Sequence, residues 1–227
     1  MKLKDGAIFI SDSHYNDERV ILEEILMAIN TNKIQTTQLF LMGDMFDFLS
    51  EDISYFKNKN EPIIELINNL SNNIEIIYFE GNHDFNLSEL FQDIYVIPRE
   101  NQPLKIKENN KYFALSHGDI FTPKGYNIYT NIIRSSFVLN LLNLFDINSW
   151  LSKKIEKDLK SKDICKKQKN FDNFIEKRID LYDTDIVIEG HFHQGLISDK
   201  YINLPSLCCS KEYMIYKDGT FSFLKLL

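Results

Sequence analysis

The chain has 227 residues, 44% hydrophobic and 26% charged, which is enough for one large domain with a buried core and excludes a disordered or fibrous protein. Three cysteines, two of them adjacent (Cys208 and Cys209), give neither a metal-ligand spacing nor a disulfide framework and point to a reducing compartment. A net charge of −7 gives no reason to expect nucleic acid as a partner, and no stretch approaches the ~20 apolar residues needed to span a bilayer.

The first half alternates short apolar runs with helical patterns. Ala7–Ile10 reads as a buried strand; it is also too short for the apolar region of a signal peptide, so a cytoplasmic protein is expected. An amphipathic helix over Asp17–Ile29 follows, then a strand at Gln38–Met42, a helix over Glu61–Leu70 with Pro62 near its start, and a strand at Ile74–Phe79. This βαβαβ order implies parallel strands and right-handed crossovers, with ligands gathering outside the carboxyl ends of the strands. The second half predicts strands at Tyr112–Ser116, Asp185–Glu189, Tyr201–Leu204, Tyr213–Tyr216 and Thr220–Leu224. Between about 121 and 182 there is no strand signal. Helices are expected there over Ile132–Phe145, Ser149–Lys160 and Phe171–Tyr182, as an insertion within a single domain spanning 1–227.

The five histidines fall into short polar clusters directly after predicted strands: SDSH at 11–14, GNHD at 81–84, SHGD at 116–119 and GHFH at 190–193. A fifth cluster, GDMFD at 43–47, carries Asp44. Carboxylates and imidazoles converging on one sheet edge form a nitrogen and oxygen donor set suited to manganese, iron, zinc or cobalt. Alternation along a strand would send Asp12 and His14 the same way, and likewise His191 and His193. With Asp44, Asn82 and His117 that makes seven donors, more than one ion ordinarily takes. Two divalent ions bridged by a carboxylate would use them all and clamp an in-line displacement.

In this order, DxH (Asp12, His14), GD (Asp44), GNHD (Asn82, His83, Asp84), HGD (His117) and GHFH (His191, His193) resemble the calcineurin-like metallophosphoesterases. The resemblance implies a four-layer α/β/β/α sandwich and a two-metal phosphohydrolase. It implies one ion on Asp12, His14 and His193, the other on Asn82, His117 and His191, with Asp44 bridging. His83 would point past the ions at substrate, with Asp84 as the carboxylate that orients its ring, and the two would form the catalytic pair. Asp47 and Asp119 match motif letters; Asp47 is expected to anchor a turn, Asp119 to fix a loop or a ligand imidazole.

Size, motif spacing and the position of the helical insertion are similar to those of the UDP-2,3-diacylglucosamine pyrophosphatases of lipid A biosynthesis. These are manganese-dependent peripheral membrane enzymes that release UMP and diacylglucosamine 1-phosphate. The best-known branch of that group reads GNRD, with arginine where this chain has His83. The insertion joins an apolar helix to a basic stretch: residues 150–179 hold ten Lys and Arg against five acids, leaving the remainder at −12. A greasy lid beside cationic helices suits a nucleotide lipid, or docking on the anionic face of the inner membrane. The same residues could instead only pack the lid onto the body. Substrate-contacting residues are not assigned. Two further readings stay open at this point, a soluble phosphodiesterase or nucleotidase and a catalytically inactive binding scaffold of the same fold.

Overall fold

The apolar runs of the first half become strands with both faces buried, which is why they lack polar alternation. In β1 (Ala7–Ile10), Ala7 and Phe9 face one core, and Ile8 and Ile10 face another. The computed structural model describes residues 1–226. After β1 come α1 (Ile21–Asn30), β2 (Gln38–Leu41), α2 (Ser54–Ser71), β3 (Glu75–Phe79), β4 (Tyr95–Ile97), β5 (Leu104–Glu108) and β6 (Lys111–Ser116). Four helices follow, α3 (Lys124–Ile133), α4 (Ser136–Phe145), α5 (Trp150–Lys160) and α6 (Phe171–Ile179). The chain closes with β7 (Ile186–Glu189), β8 (Leu196–Ile197), β9 (Tyr201–Asn203), α7 (Leu207–Ser210), β10 (Glu212–Lys217) and β11 (Thr220–Lys225).

Two sheets form, in the orders β11-β10-β1-β2-β3-β4 and β5-β6-β7-β9-β8. β1 to β4 run parallel, as do β6, β7 and β9. Phe9, Phe40, Phe79 and Met214 of the first sheet meet Phe113, Leu115 and Ile188 of the second in a shared core. The outer face of the first sheet packs on α1 and α2 through Leu22, Ile25, Ile63 and Ile67; that of the second packs on α6 through Phe171 and Ile175. Helices therefore flank two packed sheets, and the expected layered α/β architecture is present.

Several boundaries differ from expectation for identifiable reasons. α1 begins at Ile21 rather than Asp17 because the Asn16 side chain accepts from the amides of Glu18 and Arg19, at 2.7 and 2.9 Å, and folds that stretch into a turn. α2 begins at Ser54, so Pro62 lies inside it; burial of Phe56 and Asn60 carries the helix past a residue that ordinarily costs about 3 kcal/mol there. The expected helix over 132–145 is two helices, broken at Arg134 and Ser135 where Arg134 turns inward. β4, β5 and β8 were not signalled, being short edge or near-edge strands with few buried side chains. The cysteines also depart from expectation: Cys165 and Cys209, with Cα atoms 5.5 Å apart, are joined in a disulfide, and Cys208 is free. Folding sets α7 against the connection between α5 and α6, a proximity that no sequence spacing conveys.

Candidate active site

The carboxyl ends of β1, β2, β3, β6 and β7 meet at one rim, and all the predicted donors lie just beyond them. They do not reach it by strand alternation. β1 ends at Ile10, β2 at Leu41 and β7 at Glu189, and the chain then winds through left-handed conformations at Asp12 (φ 53°), His14 (44°), Asp44 (54°), His191 (64°) and His193 (57°). Each such conformation costs an L-residue about 1–2 kcal/mol and persists only where surroundings fix it. Here they do. The Asp12 amide donates to the Gly43 carbonyl (3.2 Å), the His14 amide to the Asp44 carbonyl (3.0 Å), and the His191 amide to the Asp12 carboxylate (2.9 Å).

Two glycines make room for this. A Cβ on Gly81 would lie 2.2 Å from Asp44 Oδ1, and one on Gly190 would lie 2.0 Å from Ser11 Oγ. Both clusters need glycine for space, since neither residue has a positive φ.

Donor atoms converge in three overlapping groups: Asp12, His14 and His193; His14, Asp44 and His83; and Asp44, His117 and His191, each within 4.8 Å. Asp44 and His14 belong to two groups each. Asn82 joins the last through its Oδ1, 3.3 Å from His117 Nε2. His83 lies edge-on to His14 with ring centroids 4.9 Å apart.

The donor set fits a pair of cations. His117 Nδ1 donates to the Met42 carbonyl at 2.9 Å, which leaves Nε2 facing Asp44 Oδ2 at 3.4 Å and Asn82 Oδ1 at 3.3 Å. His193 repeats the arrangement, with Nδ1 donating to the Ile164 carbonyl at 2.7 Å and Nε2 facing Asp12 Oδ1 at 3.0 Å. Acceptors turned on one point repel unless a proton or metal ion lies between them. His14 Nδ1 is buried with no hydrogen-bond partner. Ionisation follows the same logic. Burial works against the charge of Asp44, but His117 and His83 hold its carboxyl well below the usual range; Asp12 is likewise held at about 2, with His193 outweighing burial. Burial keeps His14 neutral, with a pKa of about 3, and pushes His191 down too. Burial works against the charge of His117 and His193 as well, but the Asp44 and Asp12 carboxylates push both up, favouring a proton where a metal ion would replace it; ionised carboxylates and neutral imidazoles are the forms that ligate metal.

One assignment is corrected. Asp84 does not orient His83. Its carboxylate is fully buried and accepts from the amides of Asp44 (2.9 Å), Met45 (2.6 Å) and Gly81 (2.9 Å) and from the Tyr78 hydroxyl (2.7 Å). Four donors leave nothing for an imidazole, so Asp84 shapes the loops that carry Asp44 and Asn82. His83 Nδ1 donates instead to the Asp47 carbonyl at 2.7 Å. The Asp47 side chain binds Asn16 and Arg19, anchoring the turn, and Asp119 pairs with Arg99 at 2.9 Å. The sequence reading missed Arg134, whose guanidinium donates to the Gly81 carbonyl and lies 5.0 Å over the Phe85 ring. A lone cation in an apolar helical stretch was the available signal. The carbonyls of Met42, Asp47 and Ile164 left none.

Residues 7–195 match the family model described as calcineurin-like phosphoesterase. The chain belongs to that family. As a calcineurin-like phosphoesterase it is a metal-dependent phosphohydrolase. It is similar to the UDP-2,3-diacylglucosamine hydrolase of Hamiltonella defensa subsp. Acyrthosiphon pisum, 24% identical over 218 residues that cover 91% of this chain and 84% of that protein. It is similar also to the UDP-2,3-diacylglucosamine hydrolase of Photorhabdus laumondii, 24% identical over 205 residues, 85% of this chain and 84% of that one. Among solved structures, the phosphoesterase Yfce from E. coli aligns with a TM-score of 0.48 at 12% identity, covering 96% of this chain and 92% of that one.

Proposed function

We propose that this phosphohydrolase cleaves the pyrophosphate of a UDP-2,3-diacylglucosamine-type nucleotide lipid, releasing UMP and a diacylglucosamine 1-phosphate. The observation that carries the reading is an apolar cavity of about 270 Å³ beside the rim, with Asn82 on its wall. The body supplies Phe48, Phe56 and Phe85, and the helices of 124–160 close it as a lid through Leu139 and Leu142. A largely apolar cavity, next to donors arranged for phosphate chemistry, suits acyl chains attached to a phosphorylated headgroup. The names of the two hydrolases at 24% identity support the same substrate class.

The outer face of these helices supports contact with an anionic membrane. Phe137, Leu144, Phe145, Ile147 and Trp150 are exposed, the first by 78%, and Lys153, Lys154 and Lys157 stand beside them. Of the apolar residues of α4 only Leu139 is buried against the body, so the alternative that this helix merely packs the lid down accounts for one side chain. No helix among the described residues is long and apolar enough to cross a membrane. Attachment on the cytoplasmic side of the inner membrane would thus be peripheral.

In this reading Asp12, His14 and His193 would hold one divalent ion and Asn82, His117 and His191 the other, with Asp44 shared between them. When bound, the pair, manganese foremost, supplies charge neutralisation at the phosphoryl oxygens and acidifies the attacking water. The chain's own residues do the rest. Second partners at Met42 and Ile164 hold two of the imidazoles in the ligating tautomer. His83, pinned at Nδ1 by the Asp47 carbonyl, turns its other nitrogen to the phosphate oxygens and balances the charge that develops there. Gly81 and Asp84 keep Asp44 and Asn82 in register. UMP release from the UDP-lipid with Mn²⁺ tests the reading. No release, with bis-p-nitrophenyl phosphate still hydrolysed, would replace it with a soluble phosphodiesterase, a reading that His83 in place of arginine favours.

A further inference from the structure

The disulfide lies where two supports of one candidate ion site meet. Cys165 follows Ile164, whose carbonyl accepts from His193 Nδ1 at 2.7 Å and so aims Nε2 at Asp12. Cys209 sits on α7, and the start of that helix is fastened to the chain carrying Asp12. The Leu207 amide donates to the Ser11 carbonyl at 2.9 Å, and the Ser206 hydroxyl to the Asp12 carbonyl at 2.8 Å. Asp12 Oδ1 and His193 Nε2 are 3.0 Å apart. The bridge therefore closes a small ring of supports around these two donors. Otherwise the segment 161–170 is held to the body by little more than the Lys167 ammonium on the Gln194 carbonyl, at 3.0 Å.

We propose that the Cys165–Cys209 bridge is a reversible redox clasp that locks the Asp12–His14–His193 side of the metal site. The inference rests on the two-ion reading of these residues. Cys165 is exposed, so an external thiolate can reach its sulfur. A dithiol reductant attacks Cys165 Sγ; the bond to Cys209 breaks, and Cys209 leaves as a thiolate and takes a proton. The reductant's second thiol then displaces Cys165, so the reductant is oxidised to its own disulfide and two electrons enter the cysteine pair. A small-molecule disulfide runs the steps backwards and closes the clasp. Cys208, half-buried and with its thiol pushed up by burial, stays protonated and stands by. In a reducing compartment the clasp is open at rest and closes under oxidation, as intracellular disulfides that report redox state do. With the clasp open, the Ile164 carbonyl is free to leave His193, and that ion is held less firmly.

The test uses the full chain loaded with Mn²⁺, its bridge closed by oxidised glutathione or opened by tris(2-carboxyethyl)phosphine, each state verified by thiol count and peptide mapping. Free Mn²⁺ released to EDTA is followed by electron paramagnetic resonance, and backbone hydrogen exchange is followed over 161–170. Opening is expected to speed loss of one ion about tenfold, the scale of losing an outer partner of a ligand imidazole, and to lower protection in the segment. Cys165→Ser should behave as the open state after either treatment. Equal release and equal exchange in the two wild-type states would overturn the clasp, as would an oxidised protein lacking the Cys165–Cys209 peptide. A change in exchange with no manganese bound in either state would keep the clasp and remove the two-ion reading instead.

Discussion

At the rim, Asp12, Asp44 and His117 are at most 2% exposed, and each is held by several hydrogen bonds from other strands' loops. Beside it, the helices over 124–160 leave Phe137, Leu144 and Trp150 at least 68% exposed and touch the body through Leu139, Ile155, Leu159 and a set of polar links. Those links include Asn140 to Asp52 at 2.9 Å and Tyr55 to Glu156 at 2.6 Å. The rim spends backbone strain on fixing donor atoms, which the chemistry of charge demands; the helices keep apolar surface uncovered, which recognition of a flexible chain tolerates. Precision and adaptability are thus placed in different parts of one chain and meet at Asn82.

Substitutions should separate the two regions. At the rim, Asp44→Ala removes the carboxylate common to two donor groups; steady-state turnover with Mn²⁺ should fall by at least about 100-fold and bound metal should drop. Asp84→Asn keeps the shape but turns an acceptor for four donors into a group that accepts on one side only. Thermal unfolding should show a loss of about 3 kcal/mol, with activity lost alongside because Asp44 is no longer held. In the cavity, Leu139→Trp should raise KM for a diacyl substrate about tenfold and leave hydrolysis of bis-p-nitrophenyl phosphate unchanged. If both activities fell together, the division between rim and helices would be wrong. On the outer face, Phe145→Ser with Trp150→Ser should weaken binding to anionic vesicles roughly tenfold without changing unfolding, since neither side chain is packed.

The smallest effect concerns how the helices are anchored. Burial disfavours the charge of Glu156, yet hydrogen bonds from Lys59, Tyr55 and Lys160 pull its pKa from 4.5 to about 2. A depressed folded pKa contributes stability above the unfolded value, lost as pH falls through the folded one. Wild type should therefore exceed Glu156→Gln in stability above about pH 5, and the difference should vanish as acid unfolding is followed towards pH 2.

Most of the rim was legible because its chemistry is spelled in residue types that have few other reasons to follow a strand: His14, His117 and the pair His191 and His193. Their route to the rim was not, since left-handed turns at Asp12 and His193 look the same in sequence as continued strand. The part of His83's partner was misread for a related reason. Adjacency suggested Asp84, but a fully buried carboxylate goes to the nearest free amides, and a carbonyl from another loop took the imidazole. The disulfide and the inward turn of Arg134 depend on how distant segments meet. Only the layered α/β core, written in uninterrupted apolar runs such as Leu39–Leu41 and Ile76–Phe79, could be read almost residue by residue.

The central claim is a pair of cations held by donors from five strand ends. Crystals grown with Mn²⁺ and measured at the manganese absorption edge should give two anomalous peaks about 3.5–4 Å apart with Asp44 between them. A single peak, or two that leave His117 and His191 without an ion, would contradict it.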